Sequence, residues 1–247
     1  MHTIETPFGM PGFLVLSGSR LYGIDTPESD YDYLGALVEP MRYRVGLAKH
    51  GNQHGFEQHV FKEDGYEGSV YSLWKLCQMF AEGNPTSLCL LFAEPIVDDF
   101  DITTDHFRSL VMSRKSGHRF LKYMEAQRKS MTGERASHTK RPTLEELHGY
   151  DTKFASHVIR LGYQGVEFLT TGKVTLPMPE AERKHVLQVR RGMFSMDEVV
   201  AESYRLQRRM EEALAISTLP EDADWEGLSS WLTIQYMHWW DLTYDER

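Results

Sequence analysis

The chain has 247 residues, 41% of them hydrophobic and 26% charged, and 27 Lys+Arg against 36 Asp+Glu give a net charge of −9. That is enough chain for one large domain or two small ones with a real core, and the composition excludes collagen-like, low-complexity and disordered classes. No stretch approaches about 18 uninterrupted apolar residues, so no membrane span is expected. The opening MHTIETPFGMPGF lacks a basic stretch followed by an apolar one, so no secretory leader is expected either.

In chain order, residues 12–17 (GFLVLS) form a short apolar run that reads as a buried strand. Residues 18–29 are rich in Gly, Ser, Thr and Pro and read as a loop with one helical turn. Residues 30–39 (DYDYLGALVE) alternate polar and aromatic before turning apolar, which predicts a second strand. Residues 41–63 lack a period, and a third short strand is expected over 66–70. From Tyr71 to Glu82 the period is helical, with Gly83 as its stop. Asn84-Pro85 then opens a helix to Phe92, with Asn as N-cap and Pro in the first turn. Cys77 and Cys89 sit in these apolar, helical surroundings. Two such cysteines argue against a disulfide framework and for a reducing compartment, the cytosol, or a host cytosol if the gene is viral.

Past the acidic stretch 94–105 only helical patterns remain. They cover 113–131, 151–171 (ended by Gly172), 180–191 after Pro177 and Pro179, a helix from the Ser195–Glu198 capping box to about 215, and 225–242. The expected architecture is α+β, with a mixed α and β part over 1–106 and an all-helical part over 107–247. The segment from Arg108 to Arg141 holds ten Lys/Arg and two acids, so +8 sits there and −17 on the rest. That asymmetry suits either a solvated helix face or a basic surface for a polyanion such as RNA.

The stretch that carries chemistry is Gly18-Ser19 after the first strand, followed by Asp30-Tyr31-Asp32. A Gly-Ser pair at a strand end leaves backbone N–H groups free for an anion. Two Asp residues two apart on a strand project from one face, and their repulsion is relieved by a hard cation, Mg²⁺ or Mn²⁺. A third ligand is needed for two metals. Glu67, at the start of the third strand, is the candidate, and Asp64 the alternative. Two metals so held suit phosphoryl-type transfer, with no His or Cys nucleophile.

GSRLYGIDTPESDYDYLG resembles the signature of the polymerase-beta nucleotidyltransferase superfamily. More narrowly, the chain is similar to its branch of predicted nucleotidyltransferases linked to RNA repair, common in bacteria and phages. That branch has GSxxYG, TPxSDxDxxG, a YSLxKF…GNP…LF segment and a helical KxxxHxxRL motif. Here these read Gly18–Gly23, Thr26–Gly35, Tyr71–Leu76 with Gly83–Pro85 and Leu91-Phe92, and Lys153–Leu161. The similarity spans roughly residues 12–192. It implies a minimal nucleotidyltransferase fold, a short mixed sheet flanked by helices, with a C-terminal helical bundle. It implies Asp30, Asp32 and Glu67 as catalytic metal ligands, Glu67 standing where Asp is usual. Gly18, Ser19, Arg20 and Ser29 are then expected at the nucleotide. Lys153, His157 and Arg160, spaced i, i+4 and i+7 on one helix face, are expected at the nucleotide as well; by itself the stripe suits a triphosphate, an RNA phosphate or a solvated face. The expected reaction is transfer of NMP from an NTP to a hydroxyl with release of pyrophosphate, the acceptor being an RNA (tRNA) end. A protein or small-molecule hydroxyl is the alternative acceptor, and a non-catalytic nucleotide-binding module the alternative to an enzyme.

His50, His54 and His59 have no Cys or second pair to complete a zinc set, so they read as loop histidines near the mouth of the site. Trp225, Trp231, Trp239 and Trp240 read as packing residues on the last helix. The polar tract 130–142 reads equally as an exposed connection or a substrate-gripping loop.

Overall fold

The computed structural model describes residues 4–27, 29–63, 65–134 and 141–245. Five strands form one mixed sheet in the order β5-β6-β2-β1-β7. Central strands β1 (Phe13–Leu16) and β2 (Tyr31–Leu37) run antiparallel, while β2 and β6 (Tyr66–Ser72) run parallel. Edge strands β5 (Gln58–Glu63) and β7 (Pro95–Asp98) pair antiparallel with β6 and β1. The two-residue strands β3 (Lys49–His50) and β4 (Gln53–His54) form a separate ribbon. This is the expected α+β fold, a short mixed sheet flanked by helices with a C-terminal helical bundle.

Strand alternation divides the core. Phe13 and Val15 point from β1 into a large cluster with the helices, and Leu14 points the other way, into a small one with Ile4, Leu37, Phe56 and Val70. The longer helices follow the sequence signals closely, while short ones over 41–44, 105–111 and 142–148 lie where no helix is expected. Short α1 (Gly18–Tyr22) is the one turn expected after β1, and α2 (Met41–Arg44) follows β2. Ser72 caps α3 (Leu73–Ala81), and Asn84 caps α4 (Pro85–Leu90) through Thr86 and Ser87 N–H at 3.0 and 3.3 Å. Then come α5 (Asp105–Val111), α6 (Arg114–Met131), α7 (Pro142–His148) and α8 (Thr152–Thr171). Helix α9 (Glu180–Arg190), α10 (Met196–Ile216, opened by its capping box) and α11 (Trp225–Asp245) complete the chain. Cys77 and Cys89 are buried and free. Among the described residues no helix is long and apolar enough to cross a membrane.

Four strands, β3, β4, β5 and β7, lie where the sequence shows no period or only acidity. β5 and β7 are sheet edges, paired on one side only, so neither needs two apolar faces. The histidines expected at the mouth of the site lie elsewhere. His50 packs against Phe8 and Phe56 in the small core, at 5.6 and 5.2 Å between ring centroids, and His54 bonds the Leu47 carbonyl at 3.1 Å. Part of the polar tract, 135–140, and the alternative ligand Asp64 lie outside the described residues.

The basic segment 108–141 folds into contacts of its own. Arg108 pairs with Asp105 (2.7 Å), Arg114 with Glu221 (3.0 Å), and Lys129 with Glu125 (2.6 Å). Lys115 and Arg119 converge on Glu82 at 3.4 and 2.6 Å. Arg128 is buried, bonded to Ser203 and Gln207 and stacked over Tyr204. The sequence-local +8 is therefore reduced by acids from other elements, which pair with Arg114, Lys115, Arg119 and Arg141.

Candidate active site

A cleft of about 430 Å³ opens between the β1–α1 junction, the N-terminal ends of β2 and β6, and helices α8 and α9. That size suits a small-molecule substrate. Its lining includes Gly18, Ser19, Ser29, Asp30, Asp32 and Glu67 on one side and Lys153, His157 and Arg160 on the other. Nine of the ten residues expected at the site thus share one cavity, although they are spread over 143 positions of chain.

The parallel pairing of β2 and β6 places Asp32 directly beside Glu67, and Asp30, two residues ahead of Asp32, faces the same way. Gly18 closes the corner. Its φ is 63°, and a Cβ there would collide with the Asp32 carboxylate, so both backbone and space require glycine. The three carboxylates feel one another. Desolvation, then the charge and hydrogen bond of Glu67, then Asp30, push the Asp32 pKa above its ordinary range. Glu67 moves the other way, held low chiefly by its hydrogen bond from Lys62, whose Nζ lies 2.6 Å from Oε2. Asp32 is therefore the harder of the pair to ionise.

The opposite wall is cationic. Asp151 caps α8 through the N–H groups of Lys153 and Phe154 and takes an ion pair from Arg141 at 3.1 Å. One turn on, the helix carries Lys153, His157 and Arg160 toward the carboxylates. Arg160 is buried, its guanidinium 4.0 Å over the Tyr22 ring and bonded to Gln164 at 2.6 Å. Burial, then Arg141 and Arg190, lower the Lys153 pKa, while Asp32 and Asp151 oppose the shift. His157 keeps contact with water, yet the cleft walls crowd it. Desolvation first, then Arg160, Lys153, Arg190 and Arg141, push its pKa down to about 3, so the ring is neutral at pH 7.

Arg20 stands apart from the cleft lining. It donates to the carbonyls of Ser29 (2.6 Å) and Asp30 (3.2 Å), pairs with Asp25 (3.1 Å), and stacks 4.0 Å over Tyr31. Its place is beneath the Asp30 loop, as a brace. Ser29 lines the cleft, but its hydroxyl accepts from the Thr26 N–H at 2.9 Å and so serves the turn. Sequence reasoning missed Arg190 on α9 and Ser156 on α8, both in the lining. Ser156 lies between Lys153 and Arg160 on the helix stripe already identified. For Arg190 the signal is the Arg190-Arg191 pair closing an amphipathic helix.

Three carboxylates on one wall are hard oxygen donors of the kind that Mg²⁺ or Mn²⁺ takes, and the Asp32 pKa is raised first by burial and then by its Glu67 and Asp30 neighbours, whose charge such a cation offsets. The donor set fits a divalent cation in kind. Among the described residues, however, no three His, Cys, Asp or Glu side chains converge as a closed metal-binding group. Glu67 is drawn onto Lys62 instead.

No curated protein matches this chain. A family model described as RlaP, RNA repair pathway DNA polymerase beta family, matches residues 11–233, which include both walls of the cleft. The chain belongs to that family, within the polymerase-beta superfamily of nucleotidyltransferases.

Proposed function

We propose that this protein transfers a nucleoside monophosphate from an NTP to a hydroxyl at an RNA end, releasing pyrophosphate. The observation that carries this reading is the bipolar cleft, with Asp30, Asp32 and Glu67 facing Lys153, Arg160 and Arg190 across one cavity. A Mg·NTP complex has the same polarity, cation on one side and phosphate oxygens on the other.

In this reading Asp30, Asp32 and Glu67 hold Mg²⁺ or Mn²⁺. Divalent cations there would lower the pKa of the attacking hydroxyl and neutralise the leaving pyrophosphate. Ser17 does not cap α1 through its side chain, so the first-turn amides at Gly18 and Ser19 are available to phosphate oxygens. Lys153, Arg160 and Arg190 neutralise the triphosphate from the helical side. Neutral His157 offers a ring nitrogen to the nucleotide without adding charge. Gly18 lets the Asp32 carboxylate lie against the backbone, and Arg20 fixes the carbonyls of Ser29 and Asp30. The RNA acceptor is supported by the family's description as an RNA repair pathway.

The test is label transfer. Wild-type protein, incubated with each NTP labelled at the α-phosphate and with total cellular RNA, should yield a labelled RNA band. The Asp30→Asn, Asp32→Asn double variant should yield none. Label transfer by the double variant would overturn the site. Label on protein or on a small molecule in place of RNA would overturn the acceptor.

A further inference from the structure

Two basic stretches of this molecule differ in how their cations are used. Those of α6 and its flanks are spent inside the fold, and among the described residues exposed Lys122 is the one cation of α6 with no ion pair or hydrogen bond. Helix α9 is the reverse. Arg183, Lys184, Arg190 and Arg191 make no side-chain hydrogen bond or ion pair among the described residues, and Lys184 and Arg191 are exposed. Of its own acids, Glu182 lies in the field of Glu167 and Arg209, and Glu180, three and four residues before Arg183 and Lys184 and so on their side of the helix, makes no ion pair with either among the described residues.

The spacing turns these four into a track. Arg183 and Arg190 are seven residues apart, as are Lys184 and Arg191, so each pair lies along one line of the helix, about 10 Å from end to end. The track has a direction. At its start, the Arg183 side chain lies against Gly23, which ends α1, and the Met178 N–H bonds the Tyr22 carbonyl at 3.2 Å. At its end, Arg190 enters the cleft.

We propose that α9, and not the basic helix α6, grips the phosphodiester backbone of the RNA acceptor and leads its end to the cleft. This rests on the RNA-acceptor reading above. On a chain of net charge −9, a row of unpaired cations ending at an active site is where a polyanion gains most. An acidic protein partner is the competing occupant. Two pairs of cations at seven-residue spacing, one of them ending at the cleft with Arg190, favour a regularly charged strand over it.

The experiment measures binding of a fluorescein-labelled single-stranded RNA oligonucleotide to the full chain by anisotropy, across a salt series. For single strands each lost phosphate contact lowers the slope of log K against log [salt] by about 0.7. The Lys184→Gln, Arg191→Gln variant should lose about 1.4 in slope and bind more weakly. The charge-conserving K184R/R191K variant should bind like wild type, and so should Lys122→Gln on α6. An unchanged slope in the double variant, or an equal loss in Lys122→Gln, overturns the track while wild-type binding keeps the RNA reading intact. Absence of wild-type RNA binding overturns both. Equal binding of a polyglutamate of matched charge overturns RNA as the occupant.

Discussion

Gly18 and His157 show how single residues set the chemistry of the cleft. Gly18 yields its side-chain space to the Asp32 carboxylate. His157 yields its proton, because the cleft walls and four nearby cations disfavour the imidazolium. The second effect is readable in stability. The folded pKa of about 3 lies below the ordinary 6.5, so between those values the unfolded chain binds a proton that the folded chain does not. Stability is then lost as pH falls from 6.5 toward 3. His157→Gln should flatten that limb in denaturant titrations at stepped pH and change little above pH 7. An acid limb identical to wild type would contradict the assignment. Arg20 teaches the complementary point. A cation next to a glycine-serine turn reads as a phosphate ligand, but three polar contacts and a Tyr31 ring claim it for the Asp30 loop.

At the scale of elements, α8 and α11 do different work. α8 packs on α6, α9 and α10 and presents its polar stripe to the sheet, so the bundle holds the cationic wall rigidly. α11 fastens the far end. The Tyr236 hydroxyl donates to buried Glu39 just past β2 (2.8 Å) and accepts from the Trp74 N–H at the start of α3 (3.2 Å). Trp240 Nε1 donates to the Glu39 carbonyl at 2.9 Å, and Arg44 pairs with the Glu39 carboxylate at 2.6 Å. Trp231 and Trp239 pack on Phe107 and Phe100, as expected of packing residues. Tyr236→Phe leaves a buried carboxylate one donor short, a loss of about 1–3 kcal/mol. Urea denaturation should show it as a lower midpoint with an unchanged slope. A midpoint equal to wild type would mean that water replaces the hydroxyl.

For the molecule as a whole, the site is a place where folding buries a carboxylate beside two others. Asp32 has its pKa raised on folding, so the folded chain binds more protons than the unfolded one across that range, and stability falls as pH rises through it. Asp32→Asn should therefore melt higher than wild type at pH 7 in chelator while being inactive. With Mg²⁺ and NTP the order should narrow or reverse, because a ligand at 100 times its Kd adds about 2.7 kcal/mol to the folded wild type. A variant that melts lower than wild type in chelator would show that the carboxylates are not in conflict.

The sequence by itself determined the central strands, the caps and breaks of the helices, and the residue types at the site. These are local matters: alternation on β1 and β2, the Asn84-Pro85 start, the Ser195–Glu198 box, and Asp30 two positions from Asp32. It also placed Lys153, His157 and Arg160 on one face, since helical spacing needs no partner. Tertiary structure alone decided which of these groups meet. Asp32 stands beside Glu67 because β2 and β6 pair in parallel, across a separation that no local pattern encodes. Edge strands β5 and β7 exist because a neighbour offers hydrogen bonds, not because their sequences alternate. Charge was the least local quantity of all. Summed along the chain, the basic segment is 108–141. Summed in space, its cations meet Glu82, Glu221 and Asp151, while a row without such partners among the described residues lies on α9, because Coulomb attraction depends on distance through space and not along sequence.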